Sequence, residues 1–215
     1  MLINRDHYKF LSESYDEVGN IINDREDFKE SELKSSISLF EKDTLEPNNP
    51  IPRNVDVFAV LSGISFEKPF LKLVENIYSR LRKILENKIF YLVQPENLGV
   101  EYAILKWPSD KMNPTILDKA IELLSEYNVS KFYLNVFGIQ LHTDGCIILK
   151  GIDEKRTIFS IRKNLVENLD NIPIKQSNWS HIPIGRVLAP IGVENMSKFK
   201  ILIAEINNEL NHDIM

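Results

Sequence analysis

Cysteine is almost missing from this sequence: Cys146 is the only one among 215 residues. A single thiol cannot close an intrachain disulfide, so covalent staples are excluded and a reducing compartment is expected. Histidine is scarce too, at positions 7, 142, 181 and 212. With one cysteine and four scattered histidines, a structural zinc site is not expected. No apolar run approaches the ~20 residues of a membrane helix. The opening "MLINRDHYKF" carries charges where a signal peptide needs an apolar stretch, so the expected compartment is the cytoplasm. No Gly-rich phosphate loop, no His-Glu-x-x-His and no Cys-x-x-Cys pair occurs. Positive charge is in deficit, with 26 Lys and Arg against 31 Asp and Glu and a net charge of −5. That disfavours binding to duplex DNA by broad phosphate neutralisation, but not a small phosphate-bearing ligand in a local basic pocket.

The apolar content, 43%, is ample for a core. Tyr8, Leu11, Tyr15, Val18, Ile21 and Ile22 recur at helical spacing, and a second helical segment covers Glu30 to Glu41. "LEPNNPIPRN" (45–54) packs three prolines and three asparagines into ten positions and reads as a linker. The chain therefore divides into a polar helical extension with linker, residues 1–54, and a main domain, residues 55–215.

In the main domain "VDVFAVLSGIS" (55–65) reads as a buried strand. A helix follows through Phe70, Val74, Ile77, Leu81 and Ile84, then strands at 89–93 and 97–107. Asn113-Pro114 opens a helix. Residues 131–151 form two strands around Asp144-Gly145, a strong hairpin signal. A helix at 157–170, a strand at 180–188 and a helix at about 195–210 complete the order. Strands outnumber crossover helices, so the fold class is α+β with a largely antiparallel sheet.

Two words draw the eye to chemistry. "QPENLGVEYAILKWP" (94–108) is a Pro-Glu-Asn-Leu turn running into a strand. "SHIPIGRVL" (180–188) sets a histidine among alternating apolar residues, with a glycine and an arginine after it. Together with the hairpin "FGIQLHTDGCIILKG" (137–151) and the element order, they resemble the 2H phosphoesterase superfamily over roughly residues 55–210. That family includes cyclic nucleotide phosphodiesterases and 2′-5′ RNA ligase-like proteins. The resemblance implies a two-lobed α+β fold in which two His-x-Thr/Ser strands face each other across a cleft. It implies metal-independent hydrolysis of a cyclic or 2′-5′ nucleotide phosphodiester, with no cofactor.

The chemistry needs a base to activate the attacking oxygen and an acid to protonate the leaving one. Two imidazoles with pKa near neutrality supply both. Residues i and i+2 of a strand share a face, so His-x-Thr aims a ring and a hydroxyl at one phosphate. Here the motif departs from the family. Gly99 stands at the first histidine position and Glu101 at its Thr/Ser position; His181 is kept, but Pro183 stands where the second hydroxyl belongs. Losing one member of an acid/base pair removes about 10²–10⁴-fold in rate. His181 is the surviving candidate acid/base, and Glu101 or His142 would have to supply the other function. Gly99, Tyr102, His142, Gly185 and Arg186 are the candidate ligand contacts, although strict alternation puts Arg186 on the face opposite His181. His142, beside the hairpin turn, reads as solvent-exposed. His7 and His212 sit in the terminal segments and carry little weight.

Two readings of different class remain. One is an active phosphodiesterase of the 2H type. The other is a non-catalytic relative that binds a nucleotide, an RNA end or a protein. The chain ends soon after its last helix, where the family has further strands closing the first lobe. That leaves a sheet edge open to a protein partner or a second copy.

Overall fold

The strand "CIILKGID" decides the architecture. Its residues Ile147 and Leu149 are buried on one face, and Cys146, Ile148 and Ile152 on the other. A strand apolar on both sides needs cover on both sides. The computed structural model, which describes residues 5–47, 49–62, 66–111, 113–126 and 132–211, provides it. In chain order the elements are α1 (Arg5–Gly19), α2 (Glu30–Ile37), β1 (Phe58–Leu61), α3 (Lys68–Ile84), β2 (Phe90–Leu92) and β3 (Glu101–Lys106). Then come α4 (Thr115–Glu126), β4 (Leu134–Leu141), β5 (Cys146–Asp153), α5 (Thr157–Asn168), β6 (Ser180–Val187) and α6 (Val193–Asn211).

The larger sheet has the order β2-β6-β5-β4, with every neighbouring pair antiparallel. Its first face packs against α3 and α6 through Ile77, Leu81, Phe199 and Ile206. Arg80 of α3 bonds Glu205 and Glu209 of α6 across that layer. The second face is covered by α1, whose Leu11 and Tyr15 pack on Phe137, Ile148 and Ile152. The smaller sheet pairs β1 with β3, also antiparallel. It packs on α4 and α5 through Ala103, Leu105, Ala120, Ile161 and Leu165. The chain is thus α+β with antiparallel sheets. The β4–β5 hairpin turns at Gly145, whose φ of +86° suits a residue without Cβ. A Cβ there would collide with the Val187 carbonyl.

Two local expectations are corrected. The stretch 55–65 is not a buried strand: only Phe58–Leu61 pairs, and Leu61 is 53% exposed. Residues 63–65 lie outside the described residues. The strand expected at 97–107 begins at Glu101, because Pro95–Asn97 forms a short 3-10 turn. Gly99 therefore precedes the strand. The N-terminal extension also shares the core of the rest: Ile22, Phe28 and Leu33 belong to the main apolar cluster. The Asp27 carboxylate accepts from the N–H groups of Ile191 and Gly192 just ahead of α6.

At β3, side chains stand in for a neighbouring strand. The Gln176 amide accepts from Ile104 N–H at 2.8 Å and donates to Ile104 C=O at 2.9 Å. Arg162 of α5 donates to the carbonyls of Tyr102 and Glu101, and to that of Trp179 just before β6. The two sheets are joined there, and the β3 edge is not open at these positions. Gln176→Ala should strip both bonds from Ile104 and cost about 1–3 kcal/mol, the penalty of unpaired buried backbone groups. Urea unfolding should show a lower midpoint at unchanged slope.

Candidate active site

His181 lies on β6, and the register of that strand sets which neighbours it has. Ile182, Ile184 and Val187 point into the main core. Their spacing of two and then three reflects a bulge: Ile147 of β5 pairs with Gly185, while Ile148 pairs with Pro183. The extra residue, Ile184, resets the alternation. Arg186 is therefore on the same face as His181 and Pro183, not opposite. It acts electrostatically on the His181 and His142 rings.

That face is roofed. The Tyr15 ring of α1 stacks on Trp179, with centroids 5.0 Å apart, and Trp179 Nε1 donates to Ser14 Oγ at 2.8 Å. Nearer the turn, Arg186 Nη1 donates to Ser36 Oγ of α2 at 2.7 Å and lies 3.6 Å from the Asp144 carboxylate. Beyond α2 the chain pinches back on itself: Glu41 N–H donates to Ile51 C=O, and Arg53 N–H to Leu39 C=O. Phe40 in this pinch packs edge-on against Tyr91 of β2.

Under the roof Trp179 meets two histidines edge-on, His181 at 5.8 Å and His142 at 5.4 Å between ring centroids. His142 is not a solvent-exposed hairpin residue. It follows β4 on the covered face, partly buried beside the indole, because its main chain continues the ladder by donating to Cys146 C=O. Gln140 Nε2 lies 2.9 Å from His142 Nε2. An amide nitrogen only donates, so His142 accepts there as a neutral ring.

Burial dominates the electrostatics. It pushes the His181 pKa down to about 4, with further lowering by His142, Arg162 and Arg186. Burial also lowers His142, against a partial pull upward from Asp144. At neutral pH His181 can take a proton but has none to give. Its Nδ1 is buried and meets no hydrogen-bond partner among the described residues. The same is true of Arg162 Nη1, on a side chain only 6% exposed. Arg162 is the residue that sequence reasoning missed. In the periodic run 157–170 a lone arginine among Ile158, Ile161 and Leu165 was the available signal.

The other candidates separate. Glu101 keeps its place on β3, where burial raises its carboxyl pKa and Arg162 holds it down in part. Its electrostatic partner is Arg162 rather than His181. Tyr102 packs among apolar residues, with Phe132 beside it, so its ring serves the core. At Gly99 a Cβ would find only Ser62 Oγ, at 3.9 Å. Gly185 is needed by the sheet: a Cβ there would meet the Tyr91 carbonyl at 2.7 Å, so close ligand approach is not what requires it. His7 is buried edge-on against Phe159. His212 lies outside the described residues. Among the described residues no cluster of three or more His, Cys, Asp or Glu side chains could hold a metal ion, and no helix is long and apolar enough to cross a membrane.

Comparison with known proteins gives little. No family model matches the chain, and no curated protein matches it. Among solved structures it is similar to TT0787 of Thermus thermophilus, at 18% identity and a TM-score of 0.45, over 60% of this chain and 74% of that one.

The histidine shifts carry a pH signature. A ring whose folded pKa lies below its unfolded value near 6.5 gives full stability above pH 6.5. That stability is lost as pH falls toward about 4, by an amount on the order of 3 kcal/mol for His181. Urea midpoints measured from pH 7.5 to 4 should fall across this window, and His181→Gln should flatten most of the slope.

Proposed function

We propose that the chain is a 2H phosphoesterase-like protein that has given its cleft face over to packing, and that it works by binding rather than by cleaving a phosphodiester. One observation carries this reading. The face bearing His181 is occupied by the chain's own N-terminal segment, with Tyr15 stacked on Trp179 and Ser36 bonded to Arg186. A phosphate placed for attack beside His181 would need that space, whereas a ligand that is bound and not cleaved need not reach His181. The motif residues agree: Gly99 and Pro183 stand where a histidine and a hydroxyl are required. The polar links of Arg162 between β3 and β6 support a two-lobed arrangement of the 2H kind. The ligand class under this reading is a nucleotide or an RNA end, without metal or cofactor.

The second reading is a metal-independent phosphodiesterase for cyclic or 2′-5′ nucleotides. It is favoured by one specific observation, the edge-on contact of both His142 and His181 with Trp179. His142 would replace the lost histidine. Two rings with lowered pKa values make a base without an acid, which leaves the mechanism short of the second proton transfer.

The purified chain should show no turnover of 2′,3′-cyclic mononucleotides or 2′-5′-linked dinucleotides without added metal. Turnover that disappears in His181→Ala would overturn the binding reading and establish the enzyme. Calorimetry with the same nucleotides checks the positive half: saturable heat without product is the expected result.

A further inference from the structure

Strand β2 lies at one end of the larger sheet, and its ladder to β6 shows which of its groups are engaged. Ile89 C=O accepts from Leu188 N–H, and Val93 N–H donates to Ile184 C=O. Residues 89, 91 and 93 therefore bond β6, and the N–H and C=O groups of Phe90 and Leu92 point the other way. Nothing among the described residues bonds them. Within Phe90–Leu92 no charge, proline or bulge blunts this edge. Other edges are closed by side chains. Gln176 serves Ile104 of β3, and Asn207 Oδ1 of α6 accepts the outward N–H of Ile139 on β4 at 2.6 Å. We propose that β2 accepts, antiparallel, an extended segment of another protein in which apolar and polar side chains alternate.

The place for that strand exists. A cavity of about 460 Å³ runs along the edge, lined by the chain from Phe90 to Pro95. Glu75, Tyr78 and Arg82 of α3 form one wall, on the sheet face into which Phe90 and Leu92 point. Pro50 stands on the other side, in the pinched segment that packs on Tyr91 through Phe40. A strand pairs at a distance of about 4.8 Å from its neighbour, which sets the guest inside this groove. The same walls disfavour a second copy. Its β2 lies equally deep in its own groove, and two groove floors do not approach to pairing distance.

The walls also set the pattern of side chains. In an antiparallel pair, directly opposed residues point to the same face. Guest residues that bond Phe90 and Leu92 therefore face α3. There they meet the ion pair of Glu75 and Arg82, 2.9 Å apart and exposed, so polar side chains suit them. The guest residues between them face Tyr91 and the segment 50–55, where Ile51 is 50% and Val55 41% exposed. Tyr91 and Val93 also border a second, apolar cavity of about 230 Å³, with Leu39 and Val55 in its wall. Apolar side chains suit that side. Main-chain bonds give such strand addition its affinity, and alternate side chains its specificity. His181 takes no part, so the proposal is independent of the nucleotide reading.

The test is an NMR titration of the full chain with the peptide acetyl-KVTVSVK-amide, read by amide exchange. In the free protein the Phe90 and Leu92 amides should exchange about tenfold faster than those of Tyr91 and Val93, and saturating peptide should remove that difference. N-methylation of the peptide's threonine and serine deletes the N–H groups aimed at β2 and should abolish binding. N-methylation of its valines alters groups that point away from the edge and should leave binding intact. Val55→Asp, at an exposed position, should weaken the peptide by about tenfold. The proposal is overturned if millimolar peptide gives no saturable protection of Phe90 and Leu92, or if binding is indifferent to methylation at threonine and serine. Protection of these amides that rises with protein concentration alone would overturn it too, in favour of a second copy.

Discussion

A sheet that is apolar on both faces cannot leave either face wet, and β5 imposes that condition here. Cys146, Ile148 and Ile152 demand a cover opposite α3 and α6, and α1 provides it with Leu11 and Tyr15. Peeling α1 away would return these side chains and Phe137 to water at about 1.5–3 kcal/mol each. The sum is comparable with the whole stability of an ordinary domain, about 5–15 kcal/mol. The N-terminal helix is therefore a structural layer and not a lid that opens at thermal cost. Everything else about the site follows from that layer: the neutral histidines, the trapped indole and the closed space above the motif strand.

Local signals made most of the architecture legible. The hairpin at Asp144-Gly145 is where its dipeptide placed it, and the helical runs at 70–84 and 157–168 follow their apolar spacing. The α+β class with antiparallel pairing was readable from the element order. The failures came where long-range register decides. Alternation along "SHIPIGRVL" gives Arg186 the wrong face, because a bulge has no signature in that string beyond Gly185. His142 looks like a turn residue until Trp179, far along the chain, comes to lie against it. Gln176 and Arg162 act on the β3 backbone from distant elements, and no window of sequence around β3 contains them.

Of the candidate site, only the face assignment of His181 was accessible from its own strand. What surrounds it is set by burial rather than by the motif. Arg162 illustrates the difference. It bridges two sheets through three carbonyls and leaves Nη1 buried without a partner among the described residues. A buried guanidinium is costly unless its donors are satisfied, and a neighbouring cation further disfavours charging His181. One residue thus ties the two sheets together and helps hold the histidine neutral.

The seat of α1 also has a kinetic meaning. Ser14 and Tyr15 find their partners at Trp179 and Gly151, 165 and 136 residues further along. Contacts of such long sequence separation are slow to form, since loop closure must precede any gain from packing. During synthesis the helix leaves the ribosome well before β6 exists. Its apolar stripe must wait, exposed or held by another protein, until the sheet that it completes has been made.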